Sequence, residues 1–209
     1  MEPASRQRID ALWRAAERLQ QRSDHANDLP PLWFFTDPAR TPDPERIAER
    51  LPRGCGVVYR AFGASDAVER GRRLAAIARE RGLVLLAGAE AGLARRIGAA
   101  GVHLPERLAH RALALASAHP EWLLTGAVHS RSALRRADRL PLAAVFVSPV
   151  AASASPSAGA PIGAGRLRTW IVGSRNPVFA LGGVREETIA DLVGTGVAGL
   201  AAVEAFTAA

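Results

Sequence analysis

Residues 177–203 limit what this chain can fold into more than any other stretch. They read Pro177-Val-Phe-Ala-Leu-Gly-Gly-Val184, Arg185-Glu-Glu-Thr-Ile-Ala-Asp-Leu-Val193 and, after a short turn, Gly199-Leu-Ala-Ala-Val203. The first and last runs are continuously apolar, and the middle one is amphipathic with acidic residues at its start. Apolar strands joined through a helix pair in parallel and are buried on both faces. Gly182-Gly183 lets backbone come close to a ligand, and the amides at the following helix start suit an anion.

Upstream, the same unit recurs. Apolar strands are predicted at 32–35, 56–59, 83–86, 101–104, 122–128 and 143–148, with helices over 45–51, 65–81, 90–100, 106–118 and 129–139. Ser65 is expected to cap its helix and Gly82 to end it. Ile9, Leu12, Trp13, Ala16 and Leu19 recur at helical spacing, so residues 5–22 should form an amphipathic helix. Residues 149–165 are rich in Ala, Ser, Pro and Gly and read as a long loop before a short helix near 167–171. Eight strands alternating with helices indicate an α/β chain, a single (β/α)8 TIM barrel, more than an open doubly wound sheet. Residues 1–29 are an N-terminal helical extension and linker, and residues 30–209 are the barrel.

Barrel chemistry gathers where strands end and helices begin. That rule selects Thr36, Asp37, Arg60, Phe62, Gly88, Ala89, Glu90, Glu106, His129, Ser148, Ser153, Ser155, Gly182, Gly183 and Glu204. A phosphate site should lie beyond strands seven and eight.

Composition excludes several classes of function. The lone Cys55 rules out an internal disulfide and a multi-cysteine metal site. The formal charge of +7 comes entirely from arginine, since the chain contains no lysine. No Schiff-base or phosphate-gripping lysine is therefore available. The arginines are interleaved with acids, as in Arg79-Glu-Arg81, which reads as a solvated surface and not a nucleic-acid footprint. No apolar run is long enough to span a membrane and no secretory signal is visible, so a cytoplasmic location is expected.

Five segments resemble the thiamine phosphate synthase and TenI family over residues 32–206. They are Leu32-Trp-Phe-Phe-Thr-Asp-Pro38, Gly98-Ala-Ala-Gly-Val-His-Leu104, Val128-His-Ser130, Val147-Ser-Pro-Val150 and Ala180-Leu-Gly-Gly-Val184. The resemblance implies a (β/α)8 barrel handling phosphorylated thiazole or pyrimidine intermediates of thiamine biosynthesis. In a true synthase, magnesium neutralises a leaving pyrophosphate, and magnesium wants hard oxygen ligands. The family's Asn-Asp pair after strand three falls on Gly88 and Ala89, and its aspartate after strand four falls on Leu108. Arg60 matches the first residue of the family's Arg-x-Lys, but the lysine position is Phe62. The family's Thr-Pro-Thr/Ser-Lys loop becomes Ser153-Ala-Ser-Pro156, a pyrophosphate serine after strand five becomes Ala127, and a serine after strand eight becomes Glu204. Losing two metal carboxylates and two lysines removes electrostatic stabilisation that such a site depends on.

His129 is the catalytic candidate, matching the histidine that TenI-type tautomerases use for proton transfer. A strand-end histidine bonded to backbone is the plainer account. Arg60, Phe62, Ser153, Ser155, Gly182, Gly183 and Glu204 are the ligand-binding candidates. Arg60 equally reads as the partner of Glu90 or Glu204, and Phe62 as filler where a lysine has gone. Ser153 and Ser155 equally read as loop composition. Glu204 would repel a phosphate, accept the Gly182-Gly183 amides itself, or favour a neutral or cationic ligand. Asp37 reads as a turn cap before Pro38, and His103 as structural. No metal ligand set and no cofactor are expected, with magnesium entering only if the chain is a synthase. The expected partner is a small thiamine-related molecule, with homo-oligomerisation left open. Three functions follow: a divergent TenI-like binder with or without tautomerase activity, an active synthase with a rebuilt site, or a non-catalytic binding module.

Overall fold

The computed structural model describes residues 3–25, 28–153, 155 and 159–207. Eight parallel strands, β1 (Leu32–Phe35), β2 (Gly56–Tyr59), β3 (Val84–Gly88), β4 (Gly101–Leu104), β5 (Leu123–Val128), β6 (Ala144–Val147), β7 (Val178–Leu181) and β8 (Gly199–Ala202), close into a barrel in sequence order. Closure is made by β1 against β8, with Trp33 opposite Ala201, while Trp33 also faces Gly56 of β2. Parallel strands need long crossovers, and helices supply them. These are α2 (Pro44–Ala48), α3 (Ala67–Arg81), α4 (Ala91–Ile97), α5 (Ala112–Ala118), α6 (Arg131–Ala137), α7 (Ala164–Ile171) and α8 (Glu186–Leu192).

Alternation along each strand divides the core in two. Trp33, Phe35, Val58, Leu86, Phe146 and Phe179 point into the barrel, whereas Phe34, Val57, Leu85 and Val145 face the helices. Trp33 meets Phe146 edge to face at 5.5 Å, and Phe35 meets the same ring at 5.0 Å. Fully burying each such ring contributes about 2–3 kcal/mol. Gly56 is required here, because a Cβ at that position would fall on the Trp33 indole.

The amphipathic N-terminal segment is helix α1 (Pro3–Gln21), which buries Ile9, Leu12, Ala15, Ala16 and Leu19. It covers the seam where β8 meets β1. Arg8 Nη1 donates to the Thr207 carbonyl (3.2 Å), and Ser23 Oγ donates to the Gly196 carbonyl (3.4 Å).

Several boundaries differ from those predicted. Helix α3 begins at Ala67 behind Asp66, not at Ser65, and Asp66 makes no side-chain cap bond. Gly82 does end it in the left-handed conformation, φ 66°. Helix α4 stops at Ile97 because Gly98 turns left-handed, before the expected end at residue 100. Residues Glu106–Arg111 wind as a 3-10 turn ahead of α5. Within the loop expected at 149–165, residues 154 and 156–158 lie outside the described part.

Candidate functional site

The strand ends form a mouth with three groups of polar side chains. The first lies beyond β1 and β2. Thr36 Oγ1 accepts the Arg60 backbone N–H (2.9 Å), and the Thr36 carbonyl accepts Arg60 Nε (2.7 Å). Asp37 does cap its own turn, since Oδ1 accepts the N–H groups of Ala39 (3.1 Å) and Arg40 (3.2 Å). Its other oxygen pairs with Arg40 at 2.8 Å and Arg60 at 3.5 Å. Burial alone would raise the Asp37 carboxyl, but hydrogen bonds from Arg40 and the charges of Arg40 and Arg60 hold it below the usual range. Burial lowers the Arg60 guanidinium to about 10, partly countered by Asp37, so it stays charged near neutrality.

Arg60 is therefore the partner of Asp37, in place of the expected Glu90 or Glu204. Asp37 wins because the Thr36 contacts bring the Arg60 head beside it. The guanidinium lies 5.7 Å from the Phe35 ring centre and 5.4 Å from that of Phe62. Phe62 is 67% exposed and sits at φ 50°, a backbone region that bulky side chains avoid.

The second group lies beyond β4, β5 and β6. His129 is exposed, and its Nδ1 is 2.9 Å from the Ser148 carbonyl and 3.2 Å from Ser148 Oγ. A carbonyl only accepts, so in the neutral ring Nδ1 carries the hydrogen and Nε2 keeps its lone pair. Glu106 Oε2 accepts the His129 backbone N–H (2.9 Å), while Glu106 Oε1 pairs with Arg136 (3.2 Å). Ser130 caps α6 through the Ala133 N–H (3.1 Å). Beneath this group, His103 is buried, with Nδ1 3.0 Å from Thr125 Oγ1 and its ring edge-on to Phe35 and Phe146. Burial, helped by the charges of Arg60 and His129, depresses it to about 3, so it is neutral.

The third group is a cleft of about 440 Å³ beyond β7 and β8. Arg8, Arg40, Arg185, Gly182, Gly183 and Glu204 line it, together with Ser153. Gly182 and Gly183 have φ of 83° and 71°, and a Cβ on either would press into the 149–152 backbone. Both glycines are needed for the chain to pass here. Glu204 lies 3.8 Å from Arg40 Nη1 and is 47% exposed. Arg40, not a glycine amide, is the partner described for this carboxylate.

Of the residues chosen from sequence, Gly182, Gly183, Ser153 and Glu204 thus share one cleft. Ser155 bonds its backbone N–H to Ser153 Oγ (3.3 Å) without lining it. Arg60 and Phe62 form a separate pair, and His129 stands apart beside Ser148. Arg8, Arg40 and Arg185 were missed. Arg185, two residues past Gly183, could have been found from the strand-end rule, whereas nothing local in sequence points to Arg8 or Arg40.

Where magnesium carboxylates would be expected, this chain presents no oxygen side chain at Gly88, Ala89 or Leu108. Ala89, at φ 65°, donates its N–H to the His103 carbonyl (2.8 Å), and Leu108 packs on the core. Glu90 is exposed, and among the described residues no three acidic, His or Cys side chains converge. These residues do not fit a magnesium site. Among the described residues, no helix is long and apolar enough to cross a membrane.

Fold and mouth together place the chain among the (β/α)8 barrels whose ligand sites sit at strand C-termini. More narrowly, it belongs to the TMP-TENI family, described as thiamine monophosphate synthase, whose model matches residues 32–206. The thiamine-phosphate synthase of Herpetosiphon aurantiacus is 33% identical over 58% of this chain and 59% of its own length. That of Vibrio parahaemolyticus is 27% identical over 91% of this chain and 90% of its own. A Synechococcus relative of the same name is matched over 52% of its length, so the chain spans little more than half of some relatives. In fold, it superposes on a thiamine phosphate pyrophosphorylase from Pyrococcus furiosus with TM-score 0.71 at 22% identity, over 85% of this chain and 86% of that one.

Proposed function

We propose that this chain is a divergent family member that binds a phosphorylated, thiazole- or pyrimidine-related molecule in the mouth and moves a proton through His129. One observation carries the reading. The Ser148 carbonyl fixes the His129 tautomer, leaving a basic Nε2 on an exposed ring. A ring tautomerisation takes a proton from one carbon and returns one to another, with no net oxidation. Nε2 accepts the first proton and the resulting imidazolium donates it back, so one residue suffices. Glu106 restrains the same residue through its backbone, which favours a repeated proton path over a freely swinging ring.

The phosphate end belongs in the cleft beyond β7 and β8, where the Gly182–Gly183 backbone and three arginines meet. Arg60 and Phe62 offer a cation and an aromatic face to the ring end. Magnesium-assisted coupling is disfavoured by the side chains at positions 88, 89 and 108, although the relatives named as synthases keep it as the second reading.

Turnover of a thiazole phosphate tautomer by the wild type, lost by at least a hundredfold in His129→Ala with the melting temperature unchanged, is the expected result. Equal turnover by His129→Ala would remove the proton-transfer role. Magnesium-dependent formation of thiamine phosphate from the two phosphorylated substrates would replace this reading with the synthase. Neither activity, with a partner retained on pull-down, would leave a binding module.

A further inference from the structure

Taken singly, the charges in the β7–β8 cleft are unequal. Arg185 pairs with Glu187 at 3.5 Å, and Arg40 is shared by Asp37 at 2.8 Å and Glu204 at 3.8 Å. Arg8 differs: the described partner of its guanidinium is the neutral Thr207 carbonyl, 3.2 Å away. No carboxylate among the described residues pairs with it. Arg8 is half-buried on α1, and Ile9 and Leu12 anchor that helix on the barrel, so its position is fixed. Opposing it, Glu204 and the exposed Glu186 bring negative charge to the same lining. With Arg40 and Arg185 already compensated, a dianion entering this cleft meets repulsion unless Arg8 answers it.

We propose that Arg8 is a specificity-determining residue for the anionic group of the ligand, and that α1 is a wall of the ligand cleft. The ligand class is a phosphomonoester whose phosphate lies between the Arg8 guanidinium and the Gly182–Gly183 backbone. The inference rests on the preceding assignment of the phosphate to this cleft. A guanidinium presents several donors in a plane, which suits a phosphate with free oxygens. An unphosphorylated analogue gains nothing from Arg8.

Binding of thiazole phosphate and of its unphosphorylated alcohol to the full chain tests this by calorimetry at low and at 0.5 M salt. The wild type should prefer the phosphate. Arg8→Gln should weaken the phosphate about tenfold at low salt and leave the alcohol unchanged. Arg8→Lys should recover affinity to within about threefold, and high salt should narrow the gap between wild type and Arg8→Gln. A wild type that prefers the phosphate and an Arg8→Gln variant of equal affinity would overturn the role of Arg8 alone. Equal loss of both ligands would also overturn it, since the arginine would then only be holding Thr207. A wild type with no preference for the phosphate would remove the underlying assignment, and this proposal with it.

Discussion

Replacing Glu204 by glutamine should raise the affinity of the cleft beyond β7 and β8 for an anion. The carboxylate lies 3.8 Å from Arg40 Nη1 and faces the space in which Gly182 and Gly183 present their backbone. Two unit charges about 4 Å apart interact by ~1 kcal/mol at the dielectric of water and ~4 kcal/mol at an effective constant of about 20. Glu204 is 47% exposed, so the lower figure applies. A phosphate carrying nearly two charges and seated about 4 Å from Glu204 would then be disfavoured by ~2 kcal/mol, which corresponds to roughly thirtyfold in affinity. Glutamine keeps the side-chain length and removes the charge. It also returns Arg40 to Asp37 as its one carboxylate partner, at 2.8 Å. The lost surface pair should cost the fold less than ~1 kcal/mol. Titration with inorganic phosphate and with thiazole phosphate in low salt should show affinity rising tenfold to thirtyfold, with the gain shrinking at 0.5 M salt. Unchanged or weaker phosphate binding would refute the electrostatic account and point to a cationic group as the natural occupant of position 204.

Two further outcomes concern the scaffold. Ala89→Gly should stabilise the protein by ~1 kcal/mol, or about 2–4 °C in a thermal melt, because Ala89 holds φ 65° where glycine does so without penalty. His103 ordinarily titrates at 6.5 but at about 3 in the fold, so the unfolded chain binds a proton that the folded one refuses. Its contribution to stability is complete above pH 6.5 and declines toward pH 3, by up to ~1.4 kcal/mol per pH unit. Urea melts across that range should show this slope in the wild type and a flatter one in His103→Asn.

The barrel was legible because its strands are short apolar runs, several of them opened or closed by glycine, and strand–helix alternation allows few closed arrangements. The Gly182-Gly183 turn, the Asp37 cap and the Gly82 helix end could be read from local chemistry for the same reason. Long-range ion pairing could not. Arg60 meets Asp37 because parallel β1 and β2 bring their ends together, and the sequence near Glu90 or Glu204 offered equally good partners. Arg40 and Glu204 are 164 positions apart and become neighbours only when β8 closes on β1. Arg8 reaches the cleft through the packing of a helix whose apolar face reveals burial but not which wall it will cover. Helix α3 starts two residues later than read because Ser65 and Asp66 are both plausible caps, and Asp66 takes the cap position without a side-chain bond.

Beneath the mouth, Trp33, Phe35, Phe146 and Phe179 plug the barrel from side to side. The plug separates two inheritances. Its rings keep the cylinder shut whatever stands on the loops above, so the loops are free to drift in charge without collapsing their foundation. A lineage built this way can shed one chemistry and try another while its skeleton stays unchanged.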